Sequence, residues 1–178
     1  MRVIAGDFKG RKLEAPADEK VRPTSDKVKE ALFSILMNEI EDAVVCDLFA
    51  GTGSLGIEAL SRGARRCYFA DAASSSIRLV KSNIKKCGAE NISIIIHGDH
   101  LNTLGRIREK VDIFLLDPPY GNGLELEAIK EIENRNLLSD NGIIAVEHHK
   151  DDIMPEAIGK FTMYKEKKYG RIVLSFYM

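Results

Sequence analysis

The chain has no tryptophan, only three cysteines and only five prolines. The cysteines Cys46, Cys67 and Cys87 stand about twenty residues apart without a Cys-x-x-Cys pair, which excludes the common zinc modules and a disulfide framework. Each lies in or beside an apolar segment, so all three are expected as small, reduced core residues. Long apolar runs are missing too. Stretches such as Ile92–Ile96 and Ile113–Leu116 are far shorter than a membrane span, and Met1-Arg2-Val3-Ile4 opens without a signal-peptide core. A soluble, cytoplasmic protein with no membrane partner is expected. There is almost no net charge: 26 basic against 27 acidic residues give −1, which argues against a bulk nucleic-acid binder. No repeat or low-complexity stretch interrupts the chain.

What remains is ordinary globular composition, 44% hydrophobic and 30% charged, which excludes disorder. A length of 178 residues allows one domain with a small appendage, large enough to fold without a staple. The charge is unevenly placed. Residues 1–29 carry a balance of +3 and residues 160–171 a balance of +4, leaving an acidic body of −8. Two basic ends on an acidic body can form a phosphate-binding face, and ordinary solvated surface is the plain alternative.

Arg2–Leu13 reads as a hairpin around Gly6 and Gly10, and Glu14–Pro23 as a polar connector. Thr24 or Ser25 is expected to cap a helix running to about Glu41, with Val28, Ala31, Leu32, Ile35, Leu36 and Ile40 at helical spacing. From residue 43 the pattern alternates. Strands are expected at Ala43–Phe49, Arg66–Ala70, Ile92–Ile96, Val111–Leu116 and Gly142–Glu147. Helices are expected at Leu55–Arg62, Ser74–Cys87 (stopped by Gly88), His100–Glu109, Leu124–Asn136 and Lys150–Ile158. Phe161–Lys167 and Arg171–Phe176 form a hairpin across Tyr169-Gly170. The strand runs are almost continuously apolar, as strands covered on both faces must be. The expected fold is α/β: a doubly wound, Rossmann-like, mostly parallel sheet with a terminal antiparallel hairpin and a small N-terminal β-hairpin.

The first core strand runs into Asp47-Leu48-Phe49-Ala50-Gly51-Thr52-Gly53-Ser54-Leu55-Gly56. Gly51, Gly53 and Gly56 fit G-x-G-x-x-G in the strand–turn–helix setting that gives the pattern meaning. Asp71 lies twenty residues after Gly51, at the end of the next strand, where a carboxylate can accept both ribose hydroxyls. An adenosine-containing cofactor follows, and a nicotinamide dinucleotide would use the same loop. Asp47 leans the other way: it would repel a pyrophosphate but attract the ammonium of an aminoacyl-type cofactor such as S-adenosylmethionine. Asp99 is placed to bond an exocyclic adenine amine, or to cap the next helix.

The fourth strand ends in Asp117-Pro118-Pro119-Tyr120. Two prolines fix φ and remove N–H groups, leaving the Asp117 carboxylate and the Pro118 carbonyl as a rigid strip of acceptors beside an aromatic face. This suits an amino group on a flat ring: the ring stacks on Tyr120 and both amine hydrogens find acceptors.

The glycine loop together with Asp117-Pro118-Pro119-Tyr120 resembles the S-adenosylmethionine-dependent amino-methyltransferases. Arg2-Val-Ile-Ala-Gly6, Lys9-Gly-Arg-Lys-Leu13, Arg22-Pro-Thr-Ser-Asp-Lys-Val-Lys-Glu-Ala-Leu-Phe33, Leu60-Ser-Arg-Gly-Ala64 and Tyr169-Gly170 narrow the resemblance to the RsmD family, over essentially the whole chain. The resemblance implies methylation of a guanine N2 in small-subunit (16S) ribosomal RNA, naked or within a subunit particle, by in-line displacement without a metal. It implies a methyltransferase domain over 21–178, preceded by a basic hairpin and connector over 1–20. Asp117, Pro118, Pro119 and Tyr120 would be catalytic. Asp47, Phe49, Ala50, Gly51, Gly53, Gly56, Asp71 and Asp99 would hold the cofactor, and the resemblance adds Arg22 and Thr24 at its methionine end. Asp71 stands where the family pattern has Glu, and the shorter carboxylate still reaches a ribose. Arg2, Lys9, Arg11 and Lys12 are the expected phosphate contacts. A monomer is expected. The rival readings are a nicotinamide dehydrogenase, a DNA adenine methyltransferase, and a non-catalytic RNA-binding module.

Overall fold

The computed structural model describes residues 1–16 and 26–178. Arg22, Thr24 and the expected cap of the first helix lie outside these described residues. The strands are β1 (Val44–Asp47), β2 (Arg66–Asp71), β3 (Ser93–His97), β4 (Val111–Leu116), β5 (Leu138–His149), β6 (Ala157–Ile158), β7 (Phe161–Tyr169) and β8 (Ile172–Tyr177). The helices are α1 (Asp26–Ile35), α2 (Ser54–Ser61), α3 (Ser74–Cys87), α4 (His100–Leu104) and α5 (Leu124–Asn134).

The central strands carry no polar alternates because each of their faces meets a helical layer. Val45, Phe69, Leu115 and Ala145 pack with Leu32, Phe33, Val80 and Ile84 of α1 and α3. Their chain neighbours Cys46, Ala70, Leu116 and Val146 turn to the opposite core, against Leu104, Ile129 and Ile132. All three cysteines are buried and free, as small core residues.

The sheet order is β3-β2-β1-β4-β5-β8-β7-β6. Pairs from β3 through β5 are parallel, and β8 runs antiparallel between β5 and β7. The chain winds outward from β1 to β3 and then returns to β4 on the other side of β1. The carboxyl ends of β1 and β4 therefore flank a crevice, the usual ligand position in a doubly wound sheet.

Several boundaries differ from expectation. The expected helix Lys150–Ile158 is absent: a turn leads to the two-residue strand β6. Pro155 sits mid-segment, where it removes a helical donor and pushes Met154 away from helical backbone. Its carbonyl instead accepts from Tyr177 Oη at 2.7 Å. α1 ends at Ile35, not Glu41, and Leu36 and Ile40 reach the core from turns. The chain must reverse there to enter β1, and Asp42 does so at φ 60°. α4 stops at Leu104, before Gly105, rather than at Glu109. β5 begins at Leu138, four residues earlier than expected, because Leu138 pairs with Val111 across a bulge.

The N-terminal hairpin is thinner than a true ribbon, with a single bridge between Arg2 and Lys12. It is nevertheless fused to the core, since Val3 and Leu13 are buried in the helix-side cluster. Polar bonds fasten it. Glu58 of α2 accepts from the Ile4 and Ala5 amides at 2.8 and 3.0 Å. Glu58 also accepts from Arg62 Nε at 2.8 Å and lies 3.4 Å from Lys29 Nζ. Lys29 in turn donates to the Arg2 carbonyl and to Ser54 Oγ. Glu58 and Lys29 are fully buried, and burial holds the Lys29 ammonium below its usual pKa, with Glu58 opposing. Removing one member of such a buried pair strands the other. Glu58→Ala is expected to lower unfolding free energy by about 3–5 kcal/mol in chemical denaturation. Adding Lys29→Met should restore part of that loss, because the stranded charge is then gone as well.

Candidate active site at the β1–β4 crevice

The glycine loop is shaped by backbone groups whose donors have defined ends. The Ala50 amide donates to the Ala70 carbonyl at 2.8 Å, and the Gly53 amide donates to the Ala50 carbonyl at 2.6 Å. Asp71 joins the loop to β2: its Oδ2 accepts from the Gly51 amide at 2.9 Å and its Oδ1 from the Ala73 amide at 2.8 Å.

The three glycines do different work. Gly51 has φ 54°, and a Cβ there would meet nothing within 4 Å, so its free side faces open space. Gly53 has φ 78°, but a Cβ would point at Val80, Ile57 and Phe69 at 3.4–3.5 Å. A side chain at Gly53 thus enters the core rather than the crevice, and the residue is needed for its left-handed backbone. At Gly56 a Cβ would lie 2.3 Å from the Phe69 ring, so glycine here permits α2 to lie close on β2.

Asp47 ends β1 at 1% exposure. Its Oδ2 accepts from the Gly56 amide at 2.9 Å, and its Oδ1 is buried without a hydrogen-bond partner among the described residues. Burial pushes its carboxyl up to about 7; the Gly56 bond opposes this, and the nearby Asp117 and Asp71 charges add to it. Asp47 pairs with Phe69 and with Leu115, so Asp71 and Asp117, each two residues further on, stand with it at the carboxyl edge of β1, β2 and β4.

In the strip after β4, Asp117 is half-buried, Pro118 buried, and Pro119 and Tyr120 exposed. Tyr120 does not stand alone. Its hydroxyl donates to Glu147 Oε1 at 3.1 Å, and its ring centroid lies 5.9 Å from that of His149. Sequence reasoning missed both partners. The available signal was Glu147 itself, a carboxylate closing an apolar strand run, where a buried charge needs a reason.

Other predicted residues fall into place unevenly. Asp99 caps α4, its Oδ1 accepting from the Asn102 amide at 2.7 Å. Phe49 is half-buried beside the His100 ring at 5.6 Å. Met1 reaches the loop, with Thr52 Oγ1 donating to its Sδ at 3.3 Å. Arg2 pairs with Asp26. Lys12 is exposed at the bridge. Lys9 belongs to the hairpin turn whose Asp7 and Phe8 amides are held by Ser61 at the C-terminal end of α2. That is about 12 Å along the helix from the loop. Arg11 is occupied by the Lys86 carbonyl at 2.9 Å and the Phe8 ring.

A doubly wound sheet with this loop and this strip at one switch point defines a Rossmann-like fold of the methyltransferase type. A family model described as Conserved hypothetical protein 95 matches residues 1–178. The chain belongs to that family, the RsmD family. It is 38% identical to the ribosomal RNA small subunit methyltransferase D of Haemophilus influenzae, over 99% of this chain and 93% of that protein. It is 32% identical to the protein of that name from Escherichia coli K12, over 99% of this chain and 89% of that one. The solved yhhF protein of Escherichia coli superposes with a TM-score of 0.89 at 31% identity, covering 99% of this chain and 96% of that chain.

The raised pKa of Asp47 predicts a pH-dependent stability. The unfolded carboxyl ionises near 4 and the folded one near 7. Its contribution is fully present below pH 4 and is lost as pH rises to about 7. Asn keeps the acceptor for the Gly56 amide and cannot ionise. Asp47→Asn is therefore expected to be more stable than the parent by an amount that grows from about pH 4 to 7 and then levels. Thermal melts of both proteins across pH 4–9 check this.

Proposed function

We propose that the chain transfers a methyl group from S-adenosylmethionine to the exocyclic N2 amine of a guanine in small-subunit ribosomal RNA. The observation that carries the reading is the meeting, at one switch point, of the glycine loop and the braced Asp117–Tyr120 strip. The names and near-complete coverage of the relatives support ribosomal RNA as the substrate class. The donor and the guanine N2 target rest on the chemistry of the site and on the family resemblance.

The residues present fit this cofactor. Gly51 leaves open space for a ligand, Asp71 offers a carboxylate for a ribose, and Asp47 Oδ1, without a partner among the described residues, is an acceptor suited to an ammonium. Phe49, Ala50, Gly53 and Gly56 shape the loop, Asp99 serves the adenine edge, and Arg22 and Thr24 serve the methionine end. When bound, S-adenosylmethionine supplies the electrophilic methyl group.

The chain's own contribution is positioning and charge. Asp117 and the Pro118 carbonyl accept the two hydrogens of the amine and aim its lone pair. Asp117 also stabilises positive charge developing on nitrogen. Holding both reactants in alignment lowers the barrier by roughly 7–11 kcal/mol in favourable cases. Tyr120 supplies a stacking face for a base taken out of its stack, which costs a few kcal/mol if the base is paired. No covalent intermediate is needed, so the buried cysteines have no part. We assign residues 21–178 to the methyltransferase domain and residues 1–20 to an N-terminal extension whose buried Val3 and Leu13 join the core. Lys12, exposed at the bridge near the loop, is the N-terminal residue best placed to meet RNA.

Tritiated methyl transfer to small-subunit RNA, subunit particles, DNA and protein in parallel tests the reading, and labelling of RNA or particles alone is expected. Asp117→Ala should cut single-turnover transfer by about 10²–10³ while S-adenosylhomocysteine affinity stays within a few-fold. Gly51→Asn tolerates the left-handed backbone and projects into the open space. It should weaken calorimetric S-adenosylhomocysteine binding at least about tenfold with an unchanged melting temperature. Asp47 must be ionised to face an ammonium, so affinity should fall as pH drops through about 7.

A further inference from the structure

We propose that the outer strand and tip of the β7–β8 hairpin, through Lys165, Lys167, Lys168 and Arg171, hold the RNA phosphate backbone beside the Asp117–Tyr120 strip. The proposal rests on the RNA-methylation reading above and assigns the polyanion surface that the reading requires.

Register places the hairpin at the catalytic end of the sheet. Glu147 pairs with Leu174, and Leu174 with Lys167; His148 pairs with Val173, and Val173 with Lys168. Lys167 and Lys168 thus stand in the same cross-sheet rows as Glu147, which holds Tyr120, and its neighbour His148. Two strand spacings separate them, about 10 Å. Tyr169 and Ile172 complete the next row with His149, whose ring faces Tyr120. The Arg171 carbonyl accepts from the Lys150 amide at 2.9 Å, which fixes the tip against the end of β5.

The hairpin divides its labour. β8 is buried along its whole length, whereas Tyr164–Lys168 of β7 are five consecutive exposed residues. Tyr164 leans on Phe176, but from Lys165 to Lys168 the side chains stand in solvent, and β6 pairs only with Phe161 and Thr162. The bare edge explains one or two charges, since lysine discourages edge-to-edge pairing. It does not require one sign at three of four positions. Glu166 is the only acid among residues 160–171 and lies 3.4 Å from Lys168. The N-terminal basic residues are placed differently: Arg11 is engaged by Lys86, Arg2 by Asp26, and Lys9 stands at the far end of α2. Phosphate contacts of this kind fix the register of the RNA without reading its sequence.

The test compares the parent with a Lys165→Gln/Lys167→Gln/Lys168→Gln/Arg171→Gln variant in methyl transfer to small-subunit RNA across a salt series. Glutamine keeps the edge polar, and size-exclusion profiles and denaturation midpoints establish that the variant is folded. KM for RNA is expected to rise at least about tenfold near 0.15 M salt. Its log–log salt dependence should flatten by nearly one unit for each phosphate that is no longer neutralised. Turnover at saturating RNA and S-adenosylhomocysteine affinity should stay within about twofold. Arginine at the three lysine positions should restore the slope, and Lys9→Gln/Arg11→Gln should leave it unchanged. If the quadruple variant does not fold, Lys167→Gln/Lys168→Gln is read the same way for half the change in slope. Unchanged KM and slope in a folded variant, with the parent methylating RNA, overturn the proposal while the functional reading stands. A parent that transfers no methyl group to RNA or particles overturns both.

Discussion

The bond between the Gly56 amide and Asp47 Oδ2 is the constraint on which the site depends. It ties the last residue of β1 to the first turn of α2 across nine residues of chain, so the loop between them has little freedom left. Burial of a carboxylate is costly unless it is bonded, and here one oxygen is bonded and the other has no partner among the described residues. The cost appears as a carboxyl pushed up to about 7. A group held so close to neutrality in the free protein changes its charge state readily when a cation arrives.

Close approach of α2 to the sheet is the second half of that constraint. Gly56 lets the helix lie where any side chain would strike Phe69, and on its other side α2 offers Glu58 and Ser61 to the N-terminal segment. The hairpin has a few cross-strand bonds of its own, from Val3 to Arg11, Gly10 to Val3 and Leu13 to Met1, and amides bonded to the buried Glu58 and Ser61 fasten it to α2. Lys29 connects this lock to Ser54, the first residue after the loop. A disturbance of the hairpin therefore reaches the start of α2 through two bonds.

The alternation of apolar strands and amphipathic helices made the doubly wound sheet legible, because period and polarity follow directly from burial on two faces. Gly88 as the stop of α3 was legible for the same local reason: it sits at φ 65°. Boundaries decided by tertiary context were not. Leu36 and Ile40 continue the helical spacing of α1, yet they reach the core from turns, since periodicity records burial and not backbone. In Lys150–Ile158 the apolar spacing outweighed a proline that should have decided the matter. The loop and the Asp117–Tyr120 strip were legible because their residues are rare and local. Gly53 was legible only in part: the sequence shows that a glycine is required, but only the fold shows that its missing side chain faces the core. Glu147 and His149 could not be paired with Tyr120 from spacing, as the Tyr120–Glu147 bond crosses 27 residues and two elements.

That bond also explains why the sheet needs its antiparallel end. β5 runs on to His149, past the level where β4 gives way to the Asp117 strip, and an edge strand of that length would expose its ladder. β8 covers it from Ile144 to His149, so Glu147, one residue beyond the last pair with β4, is still held by its pairing with Leu174. A tyrosine ring keeps one orientation only when its hydroxyl is anchored to something that does not move. A carboxylate at the end of a paired, buried strand meets that need better than one on a loop. The hairpin that makes β5 an interior strand also projects its lysines one strand further out, so the support of Tyr120 and the basic rim come from one piece of chain.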